Sequence, residues 1–238
     1  MQKYSLLNLN LNLYNPGSQM KRNTNDIFDF IIKYSPTIIT LQEYGKKSLI
    51  GDIDGLELLN KLDLYGYSVV EPLKDGIKPI NTRILYLKEK VQFKKNMFAY
   101  YEHSFVNRQT GGIFEINGKT LCIYSLHFPL YHSQNQDNRE DKTNMWKHTI
   151  SLGKHFKKYD YLILAGDFNE SKIGNKTALA NNLDILKQYL DSAINNIPTW
   201  KSQKLDDIFV SKTLNHKKTD PVANNISDHK ALLLEFEL

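Results

Sequence analysis

Leu162-Ile163-Leu164-Ala165-Gly166-Asp167-Phe168-Asn169 is the stretch on which the reading of this chain turns. A short apolar run of strand character stops at a glycine, and an aspartate and an asparagine follow one residue apart. Residues i and i+2 of an extended backbone point the same way, so Asp167 and Asn169 can aim two oxygens at one place. That suits a hard cation or a phosphate at the mouth of a sheet. A plain turn uses the same residue types, so the choice depends on what the other strand ends carry.

They carry similar residues. An alternating segment over 4–13, with Leu at 7, 9, 11 and 13 and Asn at 8, 10 and 12, reads as a strand with one apolar face and offers Asn10. A β-branched strand over 37–41 ends at Gln42-Glu43, and one over 120–126 ends at His127. Near the C-terminus, Leu205-Asp206-Asp207-Ile208-Phe209-Val210-Ser211 and Ser227-Asp228-His229 adjoin strands predicted over 207–210 and 231–238. Each alone reads as ordinary loop polarity. Together they read as one site, because functional residues gather on loops held by a rigid sheet.

Further strands are expected over 67–70, 83–87, 112–116 and 161–165, with a hairpin across Asn117-Gly118. Helices are expected over 23–34, 142–157 and 177–190. Strands outnumber helices and hairpin spacings recur, which points to α+β layers rather than a purely parallel sheet. No repeat or low-complexity segment interrupts the chain, and 1–238 reads as one domain.

The composition is that of a globular protein, 41% hydrophobic and 24% charged. A net charge of +5 and a pI near 9.0 give weak support to a polyanionic partner. The single cysteine, Cys122, forbids an intramolecular disulfide and reads as a small buried hydrophobe. No apolar run reaches membrane-spanning length and no signal-type segment opens the chain, so a cytoplasmic location is expected, or a secreted one if a signal peptide has been trimmed.

In order and spacing, Asn10, Leu41-Gln42-Glu43, Gly166-Asp167-Phe168-Asn169, Leu205 to Ser211 and Ser227-Asp228-His229 resemble the motifs of the endonuclease/exonuclease/phosphatase (DNase I-like) superfamily. The resemblance spans nearly the whole chain. It implies a four-layer α/β/β/α sandwich of two packed, mainly antiparallel sheets with the site at one sheet edge. It implies Glu43 as the main metal ligand with Asn10 and Asp228 nearby, and Asp167 and Asn169 orienting the attacking water and the phosphate. His229 would be a general base or phosphate contact held by Asp206, and His127 would protonate the leaving group or bind phosphate. Arg83 and Arg108 would contact phosphate oxygens, since a guanidinium fork fits them. DNase I-type enzymes carry a Glu just before that first arginine to orient the histidine; Thr82 stands there in this chain.

Oxygen donors favour Mg2+, with Mn2+ or Ca2+ as alternatives. The expected activity is a metal-dependent phosphoesterase, foremost a nuclease acting on nucleic acid and working as a monomer. The alternative is a phosphatase or phospholipase on inositol phosphates, phosphoinositides or phospholipids, and a catalytically silent binding module is a third. Tyr131 and Trp200 are candidates to stack on bases, whereas Trp146 lies in a helical pattern and reads as core. Specificity is expected in loops over 74–82, 131–141 and 215–225.

Overall fold

Leu7 and Leu9 alternate with Asn8 and Asn10 in strand β1 (Lys3–Asn10), and both faces of its second half are buried. The leucines pack on helices α1 (Thr24–Tyr34) and α2 (Gly55–Leu64), against Ile27, Ile31, Leu58 and Leu62. Leu6, on the opposite face, packs with Ile123, Ile163 and Leu234. Asn8 and Asn10 share that face, so the polar side of the strand turns inward rather than to water. Buried amides need partners. Asn8 Oδ1 accepts from Thr40 Oγ1 at 2.8 Å and from Gln42 Nε2 at 2.9 Å, and Gln42 Nε2 also donates to Ser125 Oγ at 2.9 Å.

These statements rest on a computed structural model that describes residues 2–13, 22–45, 53–72, 81–97, 107–131 and 136–238. Among them, the strands are β2 (Ile38–Tyr44), β3 (Tyr67–Val70), β4 (Asn81–Leu87), β5 (Gln92–Asn96), β6 (Gln109–Ile116), β7 (Lys119–His127), β8 (Tyr161–Asp167), β9 (Leu190–Ser192), β10 (Asp206–Ser211), β11 (Asn215–Lys217) and β12 (Leu232–Glu237). They form two six-stranded sheets, ordered β11-β12-β1-β2-β4-β3 and β5-β6-β7-β8-β10-β9. Each sheet holds one parallel pair, β1–β2 and β7–β8, flanked by antiparallel neighbours. Helix α1 connects the first pair, and α3 (Gln136–His155) the second.

Three apolar interlayers result. Tyr4, Ile38, Phe114, Ile163, Ile208 and Phe236 fill the space between the sheets. The second interlayer lies under α1 and α2. The third, with Phe128, Trp146, Phe168 and Leu186, lies under α3 and α4 (Asn181–Lys187). This is the four-layer α+β sandwich that the sequence resemblance implies.

Local signals account for the element ends. Asn23 caps α1 in a reciprocal box with Asp26, and Ser35 ends it at φ 41° ahead of Pro36. Asn117 and Gly118 close β6 onto β7 with φ 51° and 72°, the double left-handed step of a tight hairpin. Helix α4 is shorter than the 177–190 expected, and β9 takes up Leu190. Helix α2 and strands β5 and β9 were not anticipated, and β11 falls in the expected 215–225 loop. Most of the expected 74–82 loop lies outside the described residues, as do 132–135 of the next, whose remainder opens α3. Among the described residues, no helix is long and apolar enough to cross a membrane.

Candidate active site

Topology brings the polar strand ends together. Asn10 and Gln42 are register partners at the C-terminal ends of the parallel pair β1–β2. His127 and Asp167 are partners at the same ends of β7–β8, and Asp206 opens β10 opposite Asp167. Crevices outside the carboxyl ends of parallel strands are the usual ligand sites of such sheets. Period-two alternation then places the side chains. Ile123, Ile163, Ala165 and Ile208 face the space between the sheets, so His127, Asp167 and Asp206 face it too. The site is the polar end of the layer whose other end is the core.

Glu43 arrives by a different route. Ile39 and Leu41 face the helices, and strict alternation would send Glu43 there as well. The pairing of β2 with β4 shifts register between Leu41 and Tyr44, and Glu43 sits at φ 49°. This irregularity re-aims one side chain, and Tyr44 rather than Glu43 joins the helix-side core. Asn169 also lies at φ 51°. Left-handed backbone at two site residues is strain held by the surrounding structure. Gly166, at φ 157°, allows the approach of β8 to β7, since a Cβ there would lie 1.9 Å from the Leu126 carbonyl oxygen.

Asn10 Nδ2 donates to Asp167 Oδ2 at 3.1 Å and Glu43 Oε1 at 3.3 Å, and its Oδ1 accepts the Asn12 backbone N–H at 2.8 Å. It clamps two carboxylates and does not line the cleft. His127 Nε2 stands 3.8 Å from Glu43 Oε1, and Arg108 Nη1 lies 3.4 Å from His127 Nδ1. A guanidinium only donates, so Nδ1 accepts and the neutral ring carries its proton on Nε2. Thr82 plays no part in this; its Oγ1 lies 2.8 Å from Thr110 Oγ1, between the sheets.

The Ser227-Asp228-His229 motif divides its labour. Ser227 Oγ donates to the Asn10 carbonyl at 2.6 Å and accepts the His229 N–H at 3.1 Å. Asp228 turns outward and accepts the Trp200 indole N–H at 2.9 Å. His229 turns inward, with Nδ1 2.8 Å from Asp206 Oδ2, which leaves Nε2 for the cleft. Burial alone would lower the His229 pKa, but Asp206, Asp167 and Asp228 outweigh it and lift it to about 10. Burial, then Asp206 and Glu43, push Asp167 up to about 7.

These groups open into a cleft of ≈ 620 Å³. Glu43, His127, Asp167, Asn169, Asp228 and His229 line it, with Arg108, Lys176, Leu130, Tyr131 and Trp200 on its walls. Arg83 does not. It follows Thr82 in β4 and precedes Ile84, so alternation turns it to the helix side, where it is wholly buried 4.6 Å over the Tyr44 ring. The expectation that it contacts phosphate is corrected on that ground. Trp146 is core, as expected, stacked on Phe168 and tilted against Phe128. Sequence reasoning missed Lys142 and Glu170, a buried ion pair beneath Asn169, and Lys204, paired with Asp207 at 2.6 Å beside Asp206. A lysine on an apolar helical stripe, with Met145, Trp146 and Thr149, was the available signal for the first.

The donor set fits a divalent cation. Ligand atoms of Glu43, His127 and Asp167 lie within 4.8 Å of one another, as do those of Asp167, Asp206 and His229. Asp206 Oδ1 is buried without a hydrogen-bond partner among the described residues. Buried carboxylates that converge this closely repel one another unless a proton or a cation intervenes.

No protein-family model and no curated protein matches the chain. Solved structures do. TDP2 of D. rerio, complexed with a single-strand DNA product, superposes with a TM-score of 0.76 at 17% identity over 100% of both chains. An endonuclease/exonuclease/phosphatase family protein from Leptotrichia buccalis C-1013-b gives 0.70 at 18% identity, over 99% of this chain and 100% of that one. The human Nocturnin catalytic domain with a bound sulfate anion gives 0.69 at 17%, over 99% and 94%. With its two packed sheets and its polar edge, this chain has the endonuclease/exonuclease/phosphatase fold.

Proposed function

We propose that the protein is a divalent-metal-dependent phosphoesterase that hydrolyses phosphodiester bonds of nucleic acid. The observation that carries this reading is the convergence of Glu43, Asp167, Asp206 and His229 at one end of the inter-sheet layer, open to a cleft with a basic wall. Phosphate ester hydrolysis needs an in-line nucleophile, charge neutralisation on the non-bridging oxygens and help for the leaving oxygen. Glu43 is the principal candidate to hold Mg2+ or a related hard cation, with Asp167 beside it and Asp228 also on the cleft lining. What such an ion supplies when bound is charge neutralisation on a phosphate oxygen.

The remaining work falls to the chain itself. The Asp206 carboxylate favours the imidazolium form of His229, which makes it a donor to a phosphate oxygen through Nε2. Asp167, as a carboxylate beside the cation, would orient the attacking water. Asn169 donates through Nδ2 to the Phe128 carbonyl at 2.8 Å, so its Oδ1 is the atom turned to water or substrate. His127 and Arg108 stand as a pair beside Glu43 and Asp167, available to a leaving oxygen or a flanking phosphate. TDP2 bound to a single-strand DNA product supports nucleic acid as the substrate class, and Trp200 and Tyr131 offer rings for bases.

The test supplies Mg2+ with supercoiled plasmid and, separately, a 5′-labelled single-stranded oligonucleotide. Cleavage by wild type that is lost with chelator and in His229→Ala supports the assignment. A folded wild type that cleaves neither rejects the nuclease reading. Inositol polyphosphates and phospholipid vesicles are then the next substrates, a reading favoured by Leu130, 62% exposed at the cleft.

A further inference from the structure

Lys142 and Glu170 are almost without solvent exposure, at 1% and 0% of their side chains, with Lys142 Nζ 2.6 Å from Glu170 Oε1. The lysine reaches in from α3. Its ammonium also donates to the backbone carbonyl of Asn169 at 2.8 Å. Asn169 occupies left-handed backbone, and no strand ladder holds its carbonyl. Three contacts fix it: its N–H on Asp167 Oδ1 at 2.8 Å, its Nδ2 on the Phe128 carbonyl, and its carbonyl on Lys142.

Glu170 extends the reach of the pair. Its Oε2 accepts the Leu179 N–H at 3.1 Å and the Thr177 hydroxyl, while Thr177 Oγ1 accepts the Ser171 N–H at 2.8 Å. Asn175, Lys176 and Thr177 line the cleft. One buried ion pair therefore joins helix α3, the turn that bears Asn169, and a cleft wall. A buried ion pair is no reliable source of stability, since apolar residues of similar volume often do as well. What an apolar pair cannot do is donate to the Asn169 carbonyl and accept from Leu179 at once.

We infer that the buried Lys142–Glu170 pair is a positioning device, which sets where Asn169 presents its Oδ1 and where the 175–177 wall stands. This rests on the phosphoesterase reading and adds to it two residues that touch no reacting atom. It requires Lys142 and Asn169 to act as one unit, so loss of either should remove the same contribution.

The experiment measures steady-state cleavage with Mg2+ on whichever of the plasmid and the oligonucleotide wild type cleaves. It compares wild type, Lys142→Met, Asn169→Ala and the double variant. Lys142→Met is expected to lower kcat at least 10-fold with KM changed less than 2-fold. In the Asn169→Ala background the same substitution is expected to change kcat less than 2-fold. Losses that multiply, or a Lys142→Met that lowers only the melting temperature, overturn the proposal. If Lys142→Met does not fold, Glu170→Gln, which preserves size and one acceptor oxygen, replaces it under the same criteria.

A second readout needs no activity. Amide hydrogen exchange is expected to speed up at 167–171 and 177–180 in Lys142→Met and to remain unchanged in β1 and β12; unchanged exchange in both loops overturns the proposal. If wild type cleaves nothing, the functional reading fails, and the exchange data still decide the role of the pair.

Discussion

His229 and Asp167 tie the stability of the metal-free protein to pH in the same direction. His229 is lifted from 6.5 to about 10, so the stability it contributes is complete below pH 6.5 and is lost as pH rises through 10. Asp167 is lifted from 3.8 to about 7, so its proton favours the folded state at low pH, and that contribution is lost as pH rises through 7. In chelator, the melting temperature is therefore expected to decline from the acid side of neutrality towards pH 10, by on the order of 5 °C or more. Asp206→Asn removes the strongest charge acting to raise His229. Its melting curve above pH 7 should be flatter than that of wild type, and parallel curves would refute the coupling. The same substitution is expected to lower kcat by about 10²-fold or more, since loss of a positioned donor to charge developing in the transition state costs about 10² to 10³. Asp206 and His229 were legible in the sequence because their motifs are contiguous. The clamping role of Asn10 was not, because nothing in a strand pattern says which carboxylates its amide will meet.

Among the elements, the central strands were legible as apolar runs, whereas the short β5, β9 and β11 were not. The first strand was read to Leu13, past the end of β1 at Asn10, and four others were read as stopping short of polar residues that the ladders include. In those four the ladders run further. Strand β8 continues through Gly166 and Asp167, β7 reaches His127, β2 reaches Tyr44, and β10 starts at Asp206. The polar residues read as loop are held by the sheets themselves, which is what fixes them to a common edge. The inward face of Asn8 and Asn10 escaped the pattern for a related reason. Alternation signals two faces, not which of them meets water. Two glycines test how firmly β7 and β8 hold the edge. Gly118→Ala meets no atom within 4 Å, and its left-handed φ should cost about 1 kcal/mol. Gly166→Ala drives a Cβ into the Leu126 carbonyl and should cost about 3 kcal/mol or more, with loss of activity. Chemical denaturation distinguishes them, and equal costs would show that β7 and β8 can separate locally without harm to the fold.

At the scale of the whole molecule, the two sheets pool their polar strand ends into a charge problem that neither sheet has alone. Asn10 and Glu43 come from one sheet, and His127, Asp167 and Asp206 from the other. A divalent cation bound among them should then act as a bridge between the sheets. An ion that binds only the folded protein stabilises it by about 2.7 kcal/mol at a hundredfold excess over Kd. For a chain of this size that amounts to an increase of about 5–10 °C in melting temperature. The increase should be greater at pH 8 than at pH 6, because the Asp167 proton must leave before its carboxylate can serve a cation. Glu43→Gln is expected to abolish most of the increase, whereas Arg108→Ala, on the same cleft, should leave it in place. Thermal unfolding with and without Mg2+ at the two pH values measures all of this. An increase that survives Glu43→Gln would locate the ion elsewhere and remove the main support for Glu43 as its holder.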